Sequence, residues 1–313
     1  MPRFYLEGFC DPALQKHEGK NVLWVYEKRK DIRRSSPKRE ATIRDFYTHT
    51  NPDGAHSTEV EERLGVIENN AARVLQSGGP LDGSMLAAED RQWLALFVGT
   101  MFTRTPTGRT ILDTRAGPAV ERIITQAAQH PDEFRRLLYE ITDPEEIAGV
   151  DVEEARQRIL SGAHVGFNSS AELSLASVIH VGWMSAAELL KLDWQFVYAH
   201  EEELFLTSDS PVVSMVWESN NSAQFLTGFG VPGVDIYFPL TRDVCLHIRK
   251  GVPPGTCIVV DRGVRQINKL VMASAEKRIY AAEHSERLRS AFEKYGCEVR
   301  AEDFQPRWQG KPV

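Results

Sequence analysis

Apolar residues recur at helical spacing through much of the first two thirds of the chain, and at alternate positions in the last third. Between 58 and 77, Val60, Leu64, Ile67, Ala71, Val74 and Leu75 predict a helix with one apolar stripe, ended by Gly78-Gly79-Pro80. Residues 87–105 predict a second, with Trp93, Leu94, Leu96, Phe97, Met101 and Phe102 apolar and Pro106 just beyond. Helical patterning continues over about 117–130, 132–140 and 151–162, then over 170–190. The character changes near Asp193. Trp194, Phe196 and Tyr198 alternate with Gln195 and Val197, so 193–199 reads as a strand, and further strands are expected over 203–208, 234–239, 243–249, 256–260 and 278–282. Helices are expected over 262–275 and 284–295, and a long Ser/Asn/Gly-rich loop over 214–233. Near the start, Val22 to Glu27 predicts a strand that turns at Lys28-Arg29-Lys30-Asp31 into a second extended run reaching about Tyr47.

These elements predict an α+β fold: a mostly helical N-terminal half (55–190) packed on a mainly antiparallel C-terminal sheet (193–282), with an N-terminal β-hairpin. No Pro/Gly/Ser linker separates the halves, so residues 1–313 are expected to form one domain. The helices over 58–77 and 170–190 should cover the sheet that follows them.

Composition narrows the function classes more than it selects one. A net charge of −7 argues against broad, charge-driven nucleic-acid binding, although a local basic patch remains compatible with it. The hairpin tip and Arg33, Arg34, Lys38 and Arg39 are such a patch, read first as a solvated edge and second as a phosphate site. No apolar run is long enough to span a bilayer, and there is no signal-peptide pattern, so a cytoplasmic location is expected. Cys10, Cys245, Cys257 and Cys297 are scattered without a C-x-x-C pair, as expected for reduced thiols.

Several polar residues are placed where chemistry is possible, each with a structural alternative. In Leu204-Phe205-Leu206-Thr207-Ser208-Asp209-Ser210-Pro211, Pro211 ends the strand, so Asp209 and Ser208 stand where strand becomes loop. A carboxylate there is held yet reachable; equally, it caps the turn by accepting backbone N–H groups. Glu61 and Glu68 share a helix stripe with Gly65 and Ala72, whose small size would let another element approach and draw both carboxylates into a groove. Such a pair suits Mg²⁺ or Mn²⁺, or acid/base work; the alternatives are a Thr58-x-x-Glu61 capping box and a solvated Glu68. Arg104 closes the second helix and either pairs with a carboxylate, holds a phosphate or complements the helix C-terminus. His180 lies with Leu173, Ala176 and Trp183 on a helix face, and Asn268 lies with Val264 and Val271; a base or ligand role competes with hydrogen-bonded core roles. The G-x-S-x-G, Walker A, H-E-x-x-H and G-x-G-x-x-G patterns are absent. Ser35-x-x-Lys38 matches S-x-x-K only by letter, since that motif needs a helix.

An ordered set of segments resembles the bacterial family of domain of unknown function 4238. The set comprises Pro2-Arg3-Phe4-Tyr5-Leu6-Glu7-Gly8-Phe9, Leu23-Trp24-Val25-Tyr26, Asp45-Phe46-Tyr47, Glu61 through Glu68 and Leu96-Phe97 to Arg104-Thr105-Pro106. It continues with Trp194, Thr207 to Val212, Phe238-Pro239-Leu240 and Ile267-Asn268. The resemblance implies that Glu61, Glu68, Arg104, Ser208, Asp209 and Asn268 belong to the family pattern. It supplies no activity. Members typically carry His-Tyr just before the proline that is Pro2 here, where this chain has Met1.

Two functions follow as expectations. One is a metal-dependent phosphoesterase, most plausibly a nuclease of a bacterial defence or toxin type. Glu61, Glu68 and Asp209 would hold Mg²⁺ or Mn²⁺, with Arg104, His180, Ser208 and Asn268 around the reacting phosphate. The other is a non-enzymatic binding or sensing module in which the same residues form a buried polar network.

Overall fold

The computed structural model describes residues 1–41, 49–50, 56–57, 59–76, 86–105, 124–141, 151–161, 181–200, 202–217, 223–225, 228–296 and 311–312. The chain divides into two compact units, Met1–Thr107 with Leu175–Val313, and Gly108–Ser174. The architecture is α+β with mainly antiparallel sheets. Among the described residues no helix is long and apolar enough to cross a membrane.

The helices of the larger unit are α1 (Arg3–Glu7), α2 (Pro12–Glu18), α3 (Pro37–Ala41), α4 (Glu59–Gln76) and α5 (Ala88–Thr103). In the smaller unit α6 (Pro131–Ile141) and α7 (Val152–Leu160) pack around Phe134, Ile124 and Ala128. Back in the larger unit, α8 covers 181–189, followed by α9 (Asp261–Ser274) and α10 (Glu286–Tyr295). The strands are β1 (Leu23–Glu27), β2 (Arg33–Ser35), β3 (His49–Thr50), β4 (His56–Ser57), β5 (Asp193–Ala199), β6 (Thr207–Ser208) and β7 (Val213–Trp217). Then come β8 (Ala223–Phe225), β9 (Asp235–Pro239), β10 (Val244–Arg249), β11 (Gly255–Val259), β12 (Arg278–Ala281) and β13 (Lys311–Pro312).

A seven-stranded sheet, β13-β11-β5-β10-β9-β7-β8, forms the centre, and only β11 with β5 is parallel among its described pairs. Strand β9 and nearly all of β10 are buried, because both sheet faces are covered. Trp194, Phe196, Ile236, Phe238, Leu246 and Ile248 share one core with α1, α4, α5 and α8, through Leu6, Ile67, Ala71, Phe97, Ala186 and Leu189. Val197, Val213, Met215, Tyr237, Cys245 and Val259 share the other with α9 and α10, through Val264, Ile267, Val271 and Phe292. The alternation of the strands therefore does what its period requires, with one residue set for each helical layer. A second sheet, β2-β1-β12-β6, contains the N-terminal hairpin and pairs its first strand with β12 (Val25 opposite Tyr280).

The chain departs from the periodicity in four places. The 214–233 stretch holds β7 and β8 instead of a continuous loop; Val212 to Trp217 is apolar enough to join the sheet despite the polar residues after it. The 203–208 run is regular only at Thr207–Ser208, and it joins the small sheet through β12. The second hairpin strand ends at Ser35, where Pro37 starts α3. Finally, Gly65 admits no neighbour: a Cβ there would meet nothing within 4 Å, so the close approach expected on the Glu61–Glu68 stripe does not occur at Gly65. It occurs instead where α5 crosses α8, since a Cβ on Gly99 would stand 2.5 Å from Gly182 O.

Candidate functional site

The segment Glu203–Ser210 runs past α9 largely without a strand neighbour, so its backbone groups need other partners. Side chains supply them. Asn268, on the inner face of α9, accepts from Leu206 N at 3.1 Å and donates to Leu204 O at 2.8 Å. Asp261, in the first turn of α9, accepts from Glu203 N at 3.0 Å. Phe205 N donates to Arg242 O at 2.7 Å. Asn268 thus does for two residues what a ladder strand would do, and its burial follows from that.

At the end of the segment, Asp209 faces the turn between α9 and β12. Its Oδ1 accepts from Glu276 N at 2.9 Å, and its Oδ2 accepts from Lys277 N at 2.9 Å and Arg278 N at 3.0 Å. Asp209 N returns a bond to Arg278 O at 3.1 Å. Ser208 is fully buried, and its Oγ accepts from Ser210 N at 3.2 Å. Burial raises the Asp209 carboxyl from its ordinary value, against the pull of the three backbone donors. Each carboxylate oxygen therefore accepts from the backbone of one turn.

Tyr280 lies between this turn and a second ionic group. Burial raises its phenol, and the charges of Asp209 and Glu40 add to that. Glu40, buried in α3, takes a two-pronged contact from Arg33 (2.7 and 3.1 Å) and a bond from Ser35 Oγ at 2.6 Å. Arg278 approaches the same carboxylate at 3.7 Å and Glu27 at 3.3 Å. Burial alone would raise the Glu40 carboxyl; the Arg33 and Ser35 hydrogen bonds outweigh it and hold the group below its ordinary value.

Glu68 and Arg104 meet as α4 and α5 pack together, with Arg104 Nη2 donating to Glu68 Oε1 at 2.6 Å. Arg104 is 8% exposed and Glu68 29%. The amino group of Met1 is coupled to both; burial first, then Arg104, push it down to about 6, while Glu68 opposes. The position just before Pro2 is thus beside this pair. The Glu61 side chain and His180 lie outside the described residues, as do Thr58 and Cys297. Among the described residues no group of three His, Cys, Asp or Glu side chains is placed to hold a metal ion. Burial raises the thiols of Cys10 (to about 12), Cys245 and Cys257, which leaves them poor nucleophiles.

Two polar clusters escape the sequence patterns. On the β9–β10 pair, His247 Nε2 lies 2.6 Å from Asp235 Oδ1, and its ring stacks on Tyr237 with centroids 4.5 Å apart. Glu203 receives Arg265 Nη1 at 2.9 Å and Arg287 Nη2 at 2.5 Å, joining the polar-pinned segment to α9 and α10. Each joins residues too far apart in sequence for any local spacing to pair them. The one readable signal is alternation, which puts Asp235, Tyr237 and, on the next strand, His247 on one sheet face.

The fold is an α+β architecture in which the 203–210 segment, paired to a strand only at Thr207–Ser208, is fixed by α9 side chains and by Asp209 on the backbone of the α9–β12 turn. The chain belongs to the family described as protein of unknown function (DUF4238), whose model matches residues 1–285. No curated protein and no solved structure matches it.

Proposed function

We propose that this protein is a non-enzymatic binding or sensing module, whose family-pattern residues Glu68, Arg104, Ser208, Asp209 and Asn268 hold the fold. The observation that carries the reading is the set of bonds on the 204–210 segment. Asn268 takes Leu204 O and Leu206 N, Ser208 takes Ser210 N, and Asp209 takes the turn at 276–278. Asp209 accepts three backbone N–H groups of one turn, with a donor on each oxygen, which is the bonding of a turn brace. Arg104, the candidate phosphate ligand, is buried against Glu68.

The rival is the Mg²⁺- or Mn²⁺-dependent phosphoesterase or nuclease that uses Glu61, Glu68 and Asp209. The two separate in a hydrolysis assay on single- and double-stranded DNA and RNA with either cation. The module reading expects no cleavage above background, together with lowered melting temperatures for Asp209→Asn and Asn268→Ala. Cation-dependent cleavage by the wild type, lost in a normally folded Asp209→Asn protein, would overturn it in favour of the nuclease.

A further inference from the structure

The charge of this chain is distributed unevenly. Residues 28–39 carry seven Lys or Arg and one Asp, a net +6 inside a chain whose total is −7. They form the turn of the β1–β2 hairpin, the edge strand β2 and the start of α3. Arg33 is spent on Glu40, Lys30 pairs with Glu27, and Lys28 bonds Gly296 O. Arg29, Arg34 and Arg39 are exposed, and among the described residues no ion pair involves them.

Two further observations suggest that these cations serve a ligand as well as solubility. Arg29 holds φ at +61°, a left-handed conformation that glycine adopts freely and a side chain does not. A tight turn is thus built around an arginine where a smaller residue would fit better. Arg34 lies with its guanidinium 4.9 Å from the Trp24 ring centroid, directly across the β1–β2 ladder. The exposed His284 ring meets Trp24 edge-on at 4.8 Å. Trp24 is fixed by its Nε1 donating to Asp11 Oδ2 at 3.2 Å. The surface therefore combines unpaired guanidinium groups with a fixed aromatic stack.

We propose that the β1–β2 hairpin is a docking surface for single-stranded nucleic acid, with Arg29 and Arg39 on phosphates and the Arg34–Trp24–His284 stack under a base. Guanidinium planes and aromatic rings accept unstacked bases, and neighbouring cations follow the backbone. An anionic membrane is the weaker partner, because none of the exposed large apolar side chains of the described residues falls within 1–41. The inference does not depend on whether the Asp209 network is structural or catalytic.

The test is fluorescence anisotropy on the full chain with a labelled oligothymidylate of about 20 nucleotides, long enough for one binding site. An abasic strand of equal length and vesicles of equal parts phosphatidylserine and phosphatidylcholine serve as competitors. The variants are Arg29→Gly alone and Arg29→Gly with Arg34→Gln and Arg39→Gln. The wild type is expected to bind at low salt. The triple variant should bind roughly tenfold more weakly, with the slope of log affinity against log salt flattened by about 1.4, since Arg29 and Arg39 each account for one single-strand phosphate contact worth about 0.7. Arg29→Gly should keep or raise the melting temperature while weakening binding, a pairing that a purely structural arginine does not give. Absence of binding by the wild type at low salt, or unchanged binding by a folded triple variant, would overturn the proposal. So would equal competition by the abasic strand or the vesicles, which would make the surface a general polyanion or membrane site.

Discussion

Asp209 and Asn268 show how single side chains fix a segment that is paired to a strand only at Thr207–Ser208. Removing the Asn268 amide leaves Leu204 O and Leu206 N buried without partners, which costs about 2–4 kcal/mol. Asn268→Ala should therefore lower the melting temperature by about 5 °C or more in a chain of this size. Asp209→Asn turns one acceptor oxygen into an NH₂ that faces backbone donors, and the expected loss is about 2 kcal/mol or somewhat more. Thermal melting of the two variants checks both; an unshifted Asp209→Asn would remove the turn as its role. The sequence places Asp209 at a strand end and Asn268 on an inner helix face, and the structure has both positions. Their partners were not legible, because a backbone N–H carries no sequence signature and the bonds of Asp209 span 67 to 69 residues.

At the level of elements, the helix stripes and the central strands were readable because each buries a face whose period the chain must obey. Helix α4 and strands β5, β9 and β10 start and end close to where their patterns do. The contact between helices was not readable. Gly65 and Gly99 both sit within helical patterns, and only the crossing geometry makes Gly99 indispensable. Gly99→Ala must push α5 and α8 apart, against Gly182 O, at a cost of about 2–3 kcal/mol. Gly65→Ala meets nothing and removes a mid-helix glycine, which should stabilise by about 0.5–1 kcal/mol. Paired melting curves with shifts of opposite sign are the expected result. The β7–β8 pairing was missed because the polar residues that follow Trp217 in the sequence outweighed the apolar run in β7.

Over the whole molecule, ionic groups join parts that the cores alone would not fix. Glu40 ties α3 to β2 and approaches β12, and Glu203 ties the pinned segment to α9 and α10. The Glu40 carboxyl is held below its unfolded value, so its contribution is present above about pH 4.3 and is lost as pH falls through the folded value. Glu40→Gln should cost about 3 kcal/mol at pH 7, and the gap from wild type should narrow as the pH falls below about 4.3. A gap that stayed constant with pH would assign the loss to packing. These long-range pairings are the part of the molecule least visible in sequence, since any of several arginines is an equal partner until the fold selects one.

In the proposed reading Glu68 and Asp209 brace the fold and hold no metal. Thermal melting of the wild type, Glu68→Gln and Asp209→Asn, each with and without Mn²⁺ in large excess, tests it most directly. Glu68 is engaged by Arg104 and Asp209 by the turn at 276–278, so the account predicts a wild-type melting temperature that Mn²⁺ leaves unchanged. A bound ion at a hundredfold excess over its dissociation constant would stabilise the fold by about 2.7 kcal/mol. A rise of that size in the wild type, abolished by Glu68→Gln or Asp209→Asn, would contradict the account and establish the metal-dependent alternative.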